Sequence, residues 1–300
     1  MVDKQLNLVS GLQLWQWRRS AIIAAIATNV SPAEVDWLLQ EVAGLDRLAL
    51  RLESFKDWSA IALKLPLEDL EHLWQKRLND RLPVQYIAGS TPWRHFQITV
   101  SSAVLIPRPE TEYLIDLAVA ASLSTPLQQG HWADLGTGSG AIALGLADAF
   151  KTATIHAVDC SSDALAIAQK NALNSGLADR IRFYQGSWWE PLELLKGQFS
   201  GMVSNPPYIP TSTVPTLQPE VVDHEPHLAL DGGADGLDCI RHLIEISPAY
   251  LRPGGVWLVE MMAGQADTVR QMLQNQGSYC NVEIQPDLAG IQRFAVAQRC

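Results

Sequence analysis

The sequence predicts an α/β chain: a doubly wound, mostly parallel sheet preceded by a small helical bundle. Three observations carry this expectation. From about Pro109 onward, short apolar strands alternate with helical stretches, the pattern of repeated βα units. The first of these strands runs into a glycine-rich turn that opens a helix. The first eighty or so residues instead space their apolar side chains only as helices do.

Size and composition fit two ordinary domains. The chain has 300 residues, 47% of them hydrophobic, enough for a sizeable buried core. Its formal net charge of −10 disfavours a phosphate backbone as partner. No apolar run reaches the length of a membrane span. The run Ala21–Ala27 follows Arg18 and Arg19 without a cleavage site and reads as a core helix rather than a leader. Cys160, Cys239, Cys280 and Cys300 form no CxxC pair and read as reduced thiols of a cytoplasmic protein.

In the N-terminal part, Leu12, Leu14, Trp15, Ile22, Ile23 and Ile26 mark the apolar face of a first helix. Ser31, Pro32 and Glu34 have the spacing of a capping box with proline at the first helical position, opening a helix that carries Val35, Leu38, Leu39 and Val42. A third helix spans about Pro66 to Leu82, and Pro83 stops it. Residues 84–104 alternate like strands, with Gly89-Ser90-Thr91-Pro92 as a hairpin turn. The expected domains are therefore a helical bundle over 1–82, a connecting β-hairpin over 83–108 and an α/β domain over 109–300. Within the last, helices are expected at Tyr113–Ala121, Ala141–Phe150, Asp163–Asn174 and Leu237–Leu251. Strands are expected at Trp132–Leu135, Thr154–Val158, Ile181–Tyr184, Gly201–Ser204 and Val256–Glu260. A closing hairpin pairs Val282–Ile284 with Phe294–Ala297.

The turn Asp134-Leu135-Gly136-Thr137-Gly138-Ser139-Gly140 lets a ligand lie against the backbone, and Asp159 ends the next strand, where ribose hydroxyls would reach it. This loop alone does not choose its ligand. Gly136, Gly138 and Ala141 satisfy the dinucleotide fingerprint, and Asp159 stands at the spacing NAD sites use. A carboxylate at Asp134 leans toward a ligand with an ammonium group over one with a pyrophosphate.

Downstream, the apolar strand Gly201–Ser204 ends in Asn205-Pro206-Pro207-Tyr208, at the same sheet edge. Prolines lack N–H groups and leave fixed carbonyl acceptors, and Asn205 adds a side-chain oxygen. Acceptors held this way can bind both hydrogens of an –NH2 group and aim its lone pair at an electrophilic methyl. Tyr208 offers an aromatic face to a planar substrate or a sulfonium. The bland alternative is an ordinary proline turn.

Glycine loop and tetrapeptide together resemble the S-adenosylmethionine enzymes that methylate amino and amide nitrogens. The stretch Leu105-Ile106-Pro107-Arg108-Pro109-Glu110-Thr111-Glu112 narrows the resemblance to the release-factor glutamine methyltransferases. So do Pro219-Glu220-Val221 with Glu225-Pro226, Ala229-Leu230-Asp231-Gly232-Gly233 with Asp235-Gly236-Leu237, and Asp287-Leu288-Ala289-Gly290 with Arg293. The likeness runs from about Arg81 to the C-terminus. It implies a Rossmann-like methyltransferase sheet and S-adenosylmethionine as cofactor. Gly136, Thr137, Gly138, Ser139, Gly140, Asp159, Trp188 and Asn205 would contact that cofactor. Asn205, Pro206, Pro207 and Tyr208 would hold the substrate glutamine, with Asn205, Pro206 and Tyr208 catalytic. It also implies class I peptide chain release factors as protein substrate, with no direct nucleic-acid or membrane partner. Two positions depart from the pattern: Ser187, where many relatives carry Asp, and Met262, where many carry Gly.

Other features read either way. His224 and His227 look like metal ligands beside carboxylates, but Pro226 interrupts the helix such a pair needs, and no metal is expected. Trp188 reads as a wall for adenine or as core, and Trp189 as core. Arg108, Glu110 and Glu112 would suit the start of the following helix. The alternatives to glutamine methylation are methylation of an adenine amino group, nicotinamide chemistry, and a non-catalytic adaptor. Acidity opposes the first, idle Asn205–Tyr208 the second, and intact motifs the third. A single glutamine offers too little surface for selective binding, so the N-terminal helices are expected to dock the protein substrate.

Overall fold

The computed structural model describes residues 7–123 and 125–300, so residues 1–6 of the expected bundle lie outside it. The chain divides into two compact units. The first takes in the chain up to Ser90 together with Pro219–His224, and the second holds Thr91–Gln218 and Glu225–Cys300.

The first unit contains β1 (Asn7–Val9), α1 (Gly11–Ala27), α2 (Ala33–Ala43), α3 (Arg47–Leu52), β2 (Ile61–Leu63), α4 (Leu67–Asn79) and α5 (Val84–Ala88). It is not purely helical, because β1 and β2 pair antiparallel. Three-residue strands are too short to show a period of two against a helical background. The buried face of α1 also differs from the expected one. Leu14, Trp17, Ala21 and Ala25 face the core, whereas Leu12, Ile23 and Ile26 are 47%, 66% and 64% exposed. Alanine on the inner face permits close packing, so the larger isoleucines are left outside. A reciprocal Ser10–Gln13 box caps α1: the Ser10 hydroxyl accepts from the Gln13 backbone amide, and the Gln13 side-chain Oε1 accepts from the Ser10 backbone amide.

The Ser31 box does not form, and α2 begins without a side-chain cap. Glu34 is drawn instead into a forked ion pair with the buried Arg77, at 2.6 and 2.8 Å. Arg77 also holds Glu220 at 2.7 Å, on the short helix α9 (Pro219–Val222). A charge-assisted pair outcompetes a neutral cap for the same carboxylate. The residues from Val84 are helical rather than extended, and Gly89 closes α5 with φ +68°.

The second unit opens with β3 (Ser90–Trp93, beginning on the last residue of the first unit) and β4 (Phe96–Thr99). Their turn falls at Arg94 and His95, not at Gly89–Pro92. Arg94 takes the left-handed conformation that a glycine would be expected to supply, φ +52°. There follow α6 (Tyr113–Ala121), β5 (Gln129–Leu135), α7 (Ala141–Ala149), β6 (Thr152–Asp159), α8 (Ser162–Asn174), β7 (Ile181–Gln185) and β8 (Phe199–Ser204). Beyond α9 come α10 (Asp238–Ile246), β9 (Leu251–Glu260), α11 (Ala266–Gln276), β10 (Tyr279–Pro286) and β11 (Gln292–Arg299). The helix expected to reach Leu251 ends five residues earlier, where Pro248 falls in a tight turn that hands the chain to β9.

The sheet has seven strands in the order β10-β11-β9-β8-β5-β6-β7. Strands β5 to β9 run parallel, and β10 and β11 close one edge antiparallel. The chain winds outward from β5 through β6 to β7, then returns to lay β8 on the other side of β5. The strand order therefore reverses between β5 and β8. Ligands of such sheets bind outside the carboxyl ends of the strands at that point. One core cluster, including Phe199, Met202, Trp257 and Leu273, packs beneath it. Among the described residues no helix is long and apolar enough to cross a membrane.

Candidate active site

The carboxyl end of β5 leads into the glycine loop. Gly136, Gly138 and Gly140 have φ of +77°, +52° and +83°, values that side chains with a Cβ rarely adopt. Asp134 sits beneath this loop rather than beside a ligand. It is fully buried, and its Oδ2 accepts from the Thr137 hydroxyl at 2.5 Å and the Ala143 amide at 2.9 Å. Burial lifts its pKa to about 7 against the pull of these two donors. The carboxylate therefore shapes the turn and is not exposed to an ammonium group.

Asp159, at the end of β6, accepts from the Gly138 amide at 2.8 Å and the Ser161 amide at 2.9 Å. Its Oδ1 also accepts from the Cys160 thiol at 3.8 Å, so the carboxylate ties loop to strand and keeps acceptor capacity on Oδ2. Trp188 takes φ +50°, a costly conformation for a bulky residue, and this places its ring against Gly136. Trp189 is buried, stacked on Tyr250 at 4.5 Å.

A cavity of about 390 Å³ opens at this edge. Its lining includes Gly136, Thr137, Gly138, Ser139, Asp159, Ser187, Trp188, Asn205 and Pro207. Gly140 does not border it. A Cβ there would meet Ala168 of α8 at 3.0 Å, so this glycine serves helix packing. Pro206 and Tyr208 also lie outside the lining. The Tyr208 ring packs on the main core, and its hydroxyl donates to Glu260 at 3.2 Å, so the ring is not offered as an open stacking face. Cys239 borders the cavity with its thiol pushed up to about 11, chiefly by burial and then by Asp238 and Asp231.

The tetrapeptide is pinned from several sides. The Ser204 hydroxyl donates to the Leu135 carbonyl at 2.5 Å, joining the ends of β8 and β5. Residues 230–236 run alongside it: the Ile209 amide donates to the Leu230 carbonyl, and the Gly232 amide to the Ile209 carbonyl. A Cβ at Gly232 would lie 2.8 Å from the Pro207 oxygen, and one at Gly236 would lie 2.3 Å from the Tyr208 oxygen. This close approach explains the glycines of that motif. The buried Gln265 side chain donates to the carbonyls of Tyr208 and Gly236, both at 3.1 Å.

Thr111 borders the cavity and Glu260 is bonded to it from behind; neither is among the site residues expected from the sequence. The Thr111 hydroxyl donates to Glu260 at 2.8 Å, and the Asn205 amide nitrogen donates to Thr111 at 3.3 Å. Glu260 is 2% exposed, and burial lifts its pKa to about 7. A usable signal existed: a carboxylate ending an apolar parallel strand lies at the ligand edge by topology. Arg108 forms an ion pair with the buried Glu225 at 2.7 Å, and Asp287 holds Arg293 at 2.7 Å while gathering the amides of its own turn. These contacts account for further motif residues as scaffold. The His224 ring nitrogen bonds the Asp80 carbonyl at 2.6 Å. Among the described residues no group of three or more His, Cys, Asp or Glu side chains is placed to hold a metal.

Known proteins resemble this chain in sequence and in fold. Residues 115–233 match the family model described as "Methyltransferase small domain". The catalytic domain of hMettl16 superposes with a TM-score of 0.54 at 17% identity, covering 80% of this chain and 84% of that one. A methyltransferase from Pyrococcus furiosus gives 0.50 at 17%, covering 69% and 89%. These two likenesses concern the fold. Among curated relatives, the release factor glutamine methyltransferase of Synechocystis sp. is 53% identical, over 97% of this chain and 98% of its own length. That of Deinococcus radiodurans is 37% identical, over 96% and 99%. Identity of this extent, across both units, means that the chain belongs to the release factor glutamine methyltransferase family.

Proposed function

We propose that the protein uses S-adenosylmethionine to methylate the side-chain amide nitrogen of the glutamine in the Gly-Gly-Gln motif of class I peptide chain release factors, and so supports translation termination. The observation that carries this reading is that Asn205 and Pro207 border the same cavity as Gly136, Gly138 and Asp159. The Asn205 side chain turns its nitrogen to Thr111, which leaves Oδ1 as its acceptor, and the Pro206 carbonyl is an acceptor as well. Both are acceptors of the kind an –NH2 group requires. The residues present also fit the cofactor. The left-handed turn at Gly136–Gly140 leaves room at Gly138, where a Cβ would meet nothing within 4 Å. Asp159 has lone pairs free for ribose hydroxyls, and the Trp188 ring forms a wall for adenine. Bound there, S-adenosylmethionine supplies a methyl group made electrophilic by its sulfonium.

The chain's own part is positioning. An amide nitrogen is a poor nucleophile because its lone pair is shared with the carbonyl. Asn205 and Pro206 hold its two hydrogens and favour the pyramidal geometry in which the lone pair is released. The cavity lining holds no histidine or lysine, and the product's extra proton leaves to water. Selectivity for a whole release factor requires a second surface, and we assign it to the first unit, where α1 presents Leu12, Ile23 and Ile26 to solvent.

Mass spectrometry of a release factor incubated with the protein and S-adenosylmethionine tests the reading. The Gly-Gly-Gln peptide should gain one CH2 on glutamine. Asn205→Ala should lower turnover by on the order of a hundredfold, as lost positioning does. Methylation of an adenine amino group in RNA or DNA, with the release factor untouched, would replace this reading.

A further inference from the structure

We propose that Thr111 and Glu260 are positioning residues that fix which end of the Asn205 side chain faces the substrate. The inference rests on the functional reading above and deepens it.

Glu260 ends β9 at the ligand edge of the sheet and is 2% exposed. Its Oε2 accepts from the Thr111 hydroxyl at 2.8 Å, and its Oε1 from the Tyr208 hydroxyl at 3.2 Å. An ionised carboxylate can only accept, and a threonine hydroxyl carries a single hydrogen. Once that hydrogen is given to Glu260, the Thr111 oxygen can only accept. The group 3.3 Å away must therefore be the Asn205 –NH2 rather than its carbonyl oxygen. Polarity thus passes in one direction, from Glu260 through Thr111 to Asn205. Its consequence is that Asn205 Oδ1 is the end left for the ligand.

This choice matters because the two ends of a carboxamide have nearly the same shape and opposite hydrogen-bonding character. With Oδ1 toward the cavity, Asn205 accepts a hydrogen from the substrate amide. Turned over, it would present –NH2 to –NH2, and the substrate nitrogen would lose one of its two acceptors. Thr111 and Glu260 need not touch the substrate glutamine to decide the outcome. Tyr208, bonded to the other oxygen of Glu260, helps hold the carboxylate in place.

The test uses the full chain and a Gly-Gly-Gln peptide, with kcat, KM and S-adenosylmethionine affinity measured together. Thr111→Val keeps the shape and removes the hydroxyl. It should lower kcat by about tenfold or more, while cofactor affinity stays within about twofold. Thr111→Ser, which restores the hydroxyl, should recover most of that loss. Glu260→Gln can donate to Thr111 and so permits the opposite polarity, and its kcat should fall to a similar degree. Because the two residues act through one route, the double variant Thr111→Val/Glu260→Gln should be no worse than about twofold below the weaker single variant. Wild-type kcat in Thr111→Val would overturn the proposal. So would additive losses in the double variant, or a loss of cofactor affinity as large as the loss of kcat. Wild-type protein that leaves the peptide glutamine unmodified would instead overturn the substrate reading, and the proposal with it.

Discussion

The hydroxyl of Thr111 donates to the carboxylate of Glu260 across 2.8 Å in a buried setting, although 149 positions separate the two residues. One lies just before α6 and the other at the end of β9. Their meeting beneath Asn205 makes the ionisation of a buried acid relevant to the orientation of a neutral amide.

Turnover should therefore depend on pH through Glu260. Burial raises its pKa to about 7, against the hydroxyls of Thr111 and Tyr208 and the charge of Arg293, while Glu110 adds to the rise. Above that value the carboxylate accepts from Thr111 and fixes Asn205. Below it the protonated acid can itself donate to Thr111, and the fixed orientation is lost. kcat should rise as pH climbs through about 7 and then level off. In Glu260→Gln the profile should be low and lack this limb. The same limb in both proteins would assign it to another group.

Asp159→Ala should weaken S-adenosylmethionine binding by about 1.5–3 kcal/mol, the usual worth of hydrogen bonds to a charged group. The carboxylate also holds the Gly138 amide, so the loop loses an anchor as well as the ligand its acceptor. Asp159→Asn keeps one acceptor and should fall between. Calorimetry on the three proteins gives the order. Unchanged affinity in Asp159→Ala would remove Asp159 from the cofactor site.

Much of the α/β unit was legible because its signals are local. Apolar strands ending in Gly136, Asp159 and Asn205 announce themselves within a few residues, and the topology rule then brings their ends together. What failed to show has identifiable causes. The β3–β4 turn lies at Arg94, in a left-handed conformation its residue type does not advertise, whereas Gly89 and Pro92 carry the sequence signs of a turn. On α1, side-chain size does not mark burial: Ala21 and Ala25 are inside, Ile23 and Ile26 outside. The capping spacing at Ser31 was real as a pattern, but Glu34 had a stronger partner in Arg77, some forty residues away. Asp134 invited an electrostatic reading toward a ligand, and only the folded loop shows the carboxylate already committed beneath it. For the Thr111–Glu260 contact, only the place of Glu260 at the end of an apolar strand leaves a trace in the sequence; its pairing with Thr111 does not.

Stability should fall in mild acid through His156. This imidazole is fully buried, within 2.9 Å of His131 and 3.1 Å of the hydroxyl of Tyr184. Its pKa is depressed to about 3, first by burial and then by the charges of His131 and Arg182. A histidine held neutral in the fold contributes fully above its unfolded pKa of about 6.5, and that contribution drains away as pH falls from there toward 3. The urea midpoint should therefore drop between pH 7.5 and pH 5. His156→Phe, which fills the space without a titrating group, should flatten that drop. An equal drop in the variant would place the acid sensitivity elsewhere.

The exposed face of α1 offers the sharpest test of substrate docking. Ile23 and Ile26 are 66% and 64% exposed, so replacing them adds no buried charge and should leave the first unit folded. If this face meets the release factor, Ile23→Glu with Ile26→Glu places two charges into an apolar contact. KM for intact release factor should rise on the order of tenfold, equivalent to about 1.4 kcal/mol. A short Gly-Gly-Gln peptide reaches only the cavity, so its kcat and KM should stay where they are. The two substrates thus separate docking from chemistry within one protein. A proportional change for both would place the effect in the catalytic unit. No change for either, with thermal stability unaltered, would mean that this face does not carry the docking contact.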